Sequence, residues 1–184
     1  ISLLATLPDL EILRFSRCIT TDFSALKKAP RLNTLDVSYH QGLINLASIF
    51  EITQLENLLL SYSKHINTSS IKGIENLLRL KKISLRSVPI PDLSGISNIK
   101  SGIREIGIAL FNVENIGDWF LLKDLHTFSS NSSNLKNTNF IKNNENLEYL
   151  TIIDSNINII NLSTKKLKWL SIVHNNISDL GNIK

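Results

Sequence analysis

The side chains able to do chemistry are few and scattered. His40, His65, His126 and His174 stand 25, 61 and 48 residues apart, and none has a second ligand at the short spacing of a zinc site. Cys18 is the single cysteine, which excludes a disulfide framework and any C-x-x-C metal or redox site. It would act as a nucleophile only beside a positioned histidine base. His40 occupies the equivalent place about twenty residues on, but the plainer reading is a small buried side chain and a satisfied imidazole. No G-x-S-x-G, H-E-x-x-H, P-loop or G-x-G-x-x-G run occurs, so the common hydrolytic and nucleotide-binding machineries are missing. The sequence is therefore read as non-enzymatic, with no cofactor, no metal and no small-molecule substrate. Four N-x-[ST] runs begin at Asn67, Asn131, Asn161 and Asn176. They matter only on a eukaryotic secretory route, and 21 asparagines among abundant serine produce such runs by chance.

Composition narrows the class. Leu and Ile supply 30 and 26 of 184 residues, against 7 Gly, 4 Pro and no Met. That bias excludes collagen-like, linker and proline-rich sequences. No apolar run approaches the ~18 residues that would span a bilayer. The net charge of +4 is spread along the chain, so neither membrane insertion nor nucleic-acid binding is implied. The excess of Ile, Asn and Lys with few Ala fits an AT-rich, bacterial genome. A first residue of Ile and a carboxyl end that stops mid-pattern lead us to expect a piece of a longer chain. The compartment stays open between the cytoplasm and a secreted effector.

The dominant signal is an internal repeat. The pattern L-x-x-L-x-L fits Leu10-Leu13-Phe15, Leu32-Leu35-Val37, Leu55-Leu58-Leu60 and Leu80-Ile83-Leu85. It continues with Ile103-Ile106-Ile108, a looser Leu122-Leu125-Thr127, Leu147-Leu150-Ile152 and Leu167-Leu170-Ile172. A single match is worthless, because amphipathic helices produce it. Eight matches about 22 residues apart are strong evidence of a repeat architecture. The last two apolar positions of each unit are two apart, which is strand spacing, so both face one way. One strand cannot bury that face alone, and stacked copies share a continuous core.

On these motifs the chain resembles leucine-rich repeat proteins over nearly its whole length. Their pattern is L-x-x-L-x-L-x-x-N/C-x-L, and Leu167 to Ile177 matches it in full, with Asn175 at the Asn position. The stretch Leu147 to Ile157 departs only there, with Ser155. The other units place Cys18, His40, Ser63, Val88, Phe111 and Ser130 at that position. Val88 and Phe111 cannot accept the backbone bonds an inward Asn makes, so the Asn ladder is expected to be mostly absent. The resemblance implies an α/β leucine-rich repeat solenoid, a horseshoe with a parallel concave sheet and mixed short helices and 3₁₀ turns on the convex side. We expect one such solenoid of about eight repeats over 1–184. Short helices are expected after Asp22, after Ser69-Ser70 and after Thr138-Asn139, and an extended or 3₁₀ stretch over 157–162.

What remains as a site is the concave face, formed by the residues between the leucines. It carries two groups. One holds Arg14, Arg17, Asp36, Tyr39 and Tyr62, with Arg86 next along. The other holds His126, Phe128, Tyr149, Ile153, Asp154, Trp169, Val173 and His174. Aromatics and arginine dominate binding energy because they bury large area with few lost rotamers, whereas an idle strand face carries Thr, Lys and Glu. The plainer reading is cross-strand packing, worth ~0.2–1 kcal/mol per pair. The resemblance implies a non-enzymatic protein-interaction module that binds a protein partner on this face. An inhibitor or immunity protein, or an effector's recognition domain, would be instances. The alternatives are the substrate-recognition part of a larger enzyme, such as a ubiquitin-ligase-like effector or adaptor, and an adhesive surface array.

Overall fold

The computed structural model describes residues 1–66, 70–109, 116–117, 119 and 122–181. Eight strands run in chain order through one sheet. They are β1 (Ile12–Arg14), β2 (Thr34–Asp36), β3 (Asn57–Leu59), β4 (Lys82–Arg86), β5 (Glu105–Ala109), β6 (Thr127–Asn131), β7 (Tyr149–Ile153) and β8 (Trp169–Val173). Every neighbouring pair is parallel. The register sets Leu13, Leu35, Leu58, Ile83, Ile106, Phe128, Leu150 and Leu170 side by side. This column is the spine of the core. Leu35, Leu58, Ile106, Phe128 and Leu150 are fully buried, because each is covered by the same position of the repeats on either side.

The sixth unit corrects the sequence register. Thr127 pairs with Tyr149 and Phe128 with Leu150, so the unit reads Leu125-x-x-Phe128-x-Ser130 rather than Leu122-Leu125-Thr127. Starting it at 125 gives steps of 22 on both sides. A phenylalanine and a serine in leucine slots hid the pattern. The space is filled by an edge-to-face trio: Trp119 meets Phe128 at 5.6 Å and Phe140 at 5.1 Å, and Phe128 meets Phe140 at 5.4 Å between ring centroids. Ser130 Oγ hydrogen-bonds Ser133 Oγ at 2.6 Å inside the turn.

After each strand the chain must fold back under the sheet, and the same position bears the bend in every unit where it is described. Arg17, Tyr39, Tyr62, Ser87, Ser132, Asp154 and His174 all have φ between 49° and 60°. Each left-handed residue costs roughly 1–2 kcal/mol. The bend aims its N–H at the next repeat: Tyr39 N donates to the Ser61 carbonyl at 2.8 Å, Ser132 N to Ile153 at 2.9 Å and Asp154 N to Val173 at 3.0 Å. The Asn ladder expected to be mostly absent is instead carried by other side chains. Ser63 Oγ accepts from His40 N at 3.2 Å and donates to the Val37 carbonyl at 2.7 Å. Ser155 Oγ accepts from Ser133 N at 3.3 Å, and Ser133 is the sixth unit's residue at that position. Asn175 donates to the Ile152 and Val173 carbonyls at 3.0 and 2.9 Å. A hydroxyl suffices because it both donates and accepts. Val88 is buried and offers no such group, and Phe111 lies outside the described residues.

The convex wall is thinner than the sequence signals imply. The expected helices form as 3₁₀ turns, at Ser24–Lys28, Ile74–Asn76 and Asn139–Ile141, and a further one spans Ser94–Asn98. A 3₁₀ turn rises about 2.0 Å per residue against 1.5 Å for an α-helix, so it spans the wall with fewer residues. The single α-helix among the described residues, α1 (Leu46–Phe50), is capped by Asn45, whose side chain accepts from Ala47 N. Residues 157–162 form no helix; Ile159 bridges Asn137 on one side and Asp179 on the other.

Two outcomes follow from the shared core and the convex turns. Leu58→Ala should cost about 2–5 kcal/mol in urea unfolding. Leu58→Asp or Ile106→Asp should abolish the cooperative melt by circular dichroism, since each buries an unpaired charge; the exposed Leu78→Asp should not. Asp22 and Asp92 each accept the N–H two residues on, from Ser24 at 2.8 Å and Ser94 at 2.9 Å. Hydrogen bonds from the Ser94 hydroxyl and N–H at Asp92, and from the Ser24 N–H and hydroxyl at Asp22, hold both carboxyls below the usual carboxylate range. A folded-state pKa below the unfolded one contributes stability at neutral pH that is lost as pH falls through it. The Asp22→Asn/Asp92→Asn variant should therefore lose less stability than wild type between pH 7 and pH 3, and an equal loss would refute this.

Candidate functional site

Strand alternation sends three positions of every unit to the concave side. Across the sheet they form the columns Ile12, Thr34, Asn57, Lys82, Glu105, Thr127, Tyr149, Trp169; then Arg14, Asp36, Leu59, Ser84, Gly107, Ser129, Thr151, Ser171; then Ser16, Ser38, Ser61, Arg86, Ala109, Asn131, Ile153, Val173. The left-handed residues follow along one rim. The second column is small over its later half, so it makes a shallow floor between larger side chains.

At the amino end, Tyr39 and Tyr62 stack face to face on successive repeats, 4.8 Å apart at 11°. Arg14 approaches Asp36 at 3.9 Å, with the arginine largely exposed, so the pair is loose and weak. Arg17 stands exposed on the rim. Arg86 reaches two strands across to donate to Ser129 Oγ at 2.9 Å. Glycine makes that crossing feasible, for a Cβ on Gly107 would come within 3.3 Å of the Arg86 Nε. Lys82 and Glu105 pair at 2.7 Å beside it.

At the carboxyl end, Tyr149 pairs in register with Trp169, and Ile153 with Val173. Trp169 is 58% exposed and Tyr149 43%. β8 is the last strand of the described sheet, and its core-facing Leu170 is also 42% exposed. Tyr149 lies one strand further in, so its exposure is not an effect of the edge. On the rim, His174 Nδ1 donates to Asp154 Oδ1 at 2.7 Å. Lys168 pairs with Glu148 at 2.8 Å; the ammonium hydrogen bond lowers the Glu148 pKa and the carboxylate raises that of Lys168.

Two predicted positions move with the corrected register. Phe128 belongs to the core column and is fully buried, so it presents nothing to a partner. His126 precedes β6 rather than lying within it, in line with Glu148 and Lys168 one and two strands on, and its Nδ1 sits 2.6 Å from the Asp124 carbonyl. Thr127, Ser129 and Asn131 take the concave places of this unit; the even 22-residue step was the signal for them. The other twelve residues lie on the concave face or its rim, in two separate groups. Among the described residues, no three His, Cys, Asp or Glu side chains gather as a metal site. His40 Nε2 lies 2.5 Å from the Thr20 carbonyl. A carbonyl only accepts, so that nitrogen carries the proton and is not free as a base.

Eight parallel strands in an open sheet, with left-handed turns and thin convex returns among the described residues, define a leucine-rich repeat solenoid. The structure is similar to internalin C2 of Listeria monocytogenes, with a TM-score of 0.72 and 17% identity over 94% of this chain and 74% of that one. It is also similar to a leucine-rich repeat protein of Leptospira interrogans, with a TM-score of 0.77 and 20% identity over 97% of this chain and 46% of the other. Listeria internalin F matches with a TM-score of 0.63 at 15% identity, over 94% and 66%. The chain thus spans just under two thirds of internalin F and less than half of the Leptospira protein. At these identities the likeness is one of fold. No family model and no curated protein sequence matches the chain.

The corrected register predicts that Phe128→Ala costs about 3–5 kcal/mol of stability in urea. A surface phenylalanine would cost far less, and a loss under about 1 kcal/mol would restore it to the concave face.

Proposed function

We propose that this chain is a non-enzymatic protein-interaction module that seats a protein partner on its concave sheet. The observation that carries the proposal is the apolar strip across β7 and β8, in which Tyr149, Trp169 and Val173 are exposed and Ile153 is half-buried. Unlike Tyr39 and Tyr62, Tyr149 and Trp169 form no ring stack with each other among the described ring pairs. Both rings keep a large solvent-exposed area, and aromatic side chains of this kind are the usual anchors of protein interfaces. The small floor of Ser129, Thr151 and Ser171 beside them leaves room for a partner's side chains. The shared leucine-rich repeat fold supports a binding role in general, and fold alone does not choose the partner. A bacterial inhibitor or immunity protein, or the recognition domain of an effector, is the finer role we favour.

The test is affinity capture from source-cell lysate with wild type and the Tyr149→Ala/Trp169→Ala variant, read by mass spectrometry. The variant should keep its far-UV spectrum and melt, and lose the captured partner by at least about tenfold, as removal of two anchors implies. A partner held equally by both proteins would remove the carboxyl strip as the site. A collapse in thermal stability would show that the two rings serve packing.

A further inference from the structure

The tyrosine rim carries a stack that stops short. Tyr39 and Tyr62 lie face to face on successive repeats, and the next residue of the same left-handed column is Ser87. The Tyr62 N–H donates to the Arg86 carbonyl at 2.6 Å, which fixes Ser87 one repeat further along. Serine has no ring, so among the described residues Tyr62 has no ring partner besides Tyr39, and Tyr62 is 43% exposed. Arg86 does not fill the place, because its guanidinium runs the other way, over Gly107 to Ser129. Adjacent strands lie about 4.8 Å apart, within the range at which rings stack. The step over Ser87 is one ring deep.

The charge around this step is one-sided. Arg17 precedes Tyr39 in the column, Lys64 follows Tyr62 on the same turn, and Arg86 precedes Ser87; all three are exposed. Among the described residues none of them has a carboxylate within ion-pair distance. Asp36, three residues before Tyr39, is already engaged, accepting from Ser38 N at 3.0 Å and facing Arg14.

We infer that the rim receives an acidic segment of a protein partner bearing one aromatic side chain, which seats on Tyr62 above Ser87 while flanking carboxylates meet Arg17 and Lys64. This rests on the protein-interaction reading and adds the partner's chemistry and the place of its anchor. The ring supplies buried area and a stack at low entropy cost, and the carboxylates steer the segment and fix its direction.

The experiment is an amide NMR titration of the ¹⁵N-labelled chain with a capped Asp-Glu-Tyr-Glu-Asp peptide at low ionic strength. Saturable shifts are expected at Arg17, Tyr62 and Ser87, with about tenfold weaker binding of Asp-Glu-Ala-Glu-Asp and of Lys-Lys-Tyr-Lys-Lys. Ser87→Tyr places the chain's own ring in the step. Tyr39 and Tyr62 already hold tyrosine in this backbone conformation, so the variant should fold, keep its melting temperature and bind the peptide about tenfold less well. No shifts at millimolar peptide, equal binding of the alanine peptide, or tighter binding by Ser87→Tyr would overturn the inference. Shifts at the same amides with 3′-sialyllactose and none with the peptide would reassign the rim to an acidic sugar. A silent rim in a chain that still captures a partner through Tyr149 and Trp169 would sink this inference alone.

Discussion

No repeat of this chain can bury its own apolar face. Three to five strand residues present one or two core side chains each, and a strand that short has no stability by itself. Everything else depends on the remedy, which is to set Leu13, Leu35, Leu58, Ile83, Ile106, Phe128, Leu150 and Leu170 in one line, so that each is covered by its neighbours. The parallel register, the near-constant repeat length and the need for a bend after every strand all follow. The bend in turn sets a left-handed residue and, in most described units though not at Val88, a buried polar group beneath it. Serine, histidine and asparagine all meet that second need, so the requirement is for a side chain that can satisfy the turn rather than for one residue type.

The same constraint explains what the sequence showed and what it hid. Seven units were legible because Leu, Ile, Val or Phe fills each slot at strand spacing. The sixth unit was misplaced because Phe128 and Ser130 stand in leucine slots while Leu122 and Leu125 offer a false match. Volume decides such a case: Trp119 and Phe140 close around the phenylalanine in a way that a letter pattern does not register. The ladder was misread for a related reason, since identity at Ser63 and Ser155 was judged against asparagine rather than against the bonds a hydroxyl makes. The convex signals at Asp22 and Asn139 marked starts of turns correctly, but helix type depends on how much length remains to cross the wall.

The concave face was legible as a surface once the period was known, because strand alternation alone sorts residues inward and outward. Its chemistry was less so. Spacing put Tyr39 beside Tyr62 but did not show that their rings are parallel, nor that Arg86 leans across Gly107 towards Ser129. Those are properties of side chains reaching over neighbouring strands, and only the three-dimensional register reveals which neighbours are within reach.

The order of the sheet has one further consequence. The backbone of each strand pairs only with the strands before and after it, and seven parallel steps of about 4.8 Å separate β1 from β8, a span on the order of 30 Å. The stacked backbone is thus a measuring stick whose two ends share no side-chain contact. A change at the tyrosine rim has no direct route to Trp169, and what joins the two ends is a fixed length. A partner that grips both must match that length, and one a few ångströms too short can hold only one end at a time.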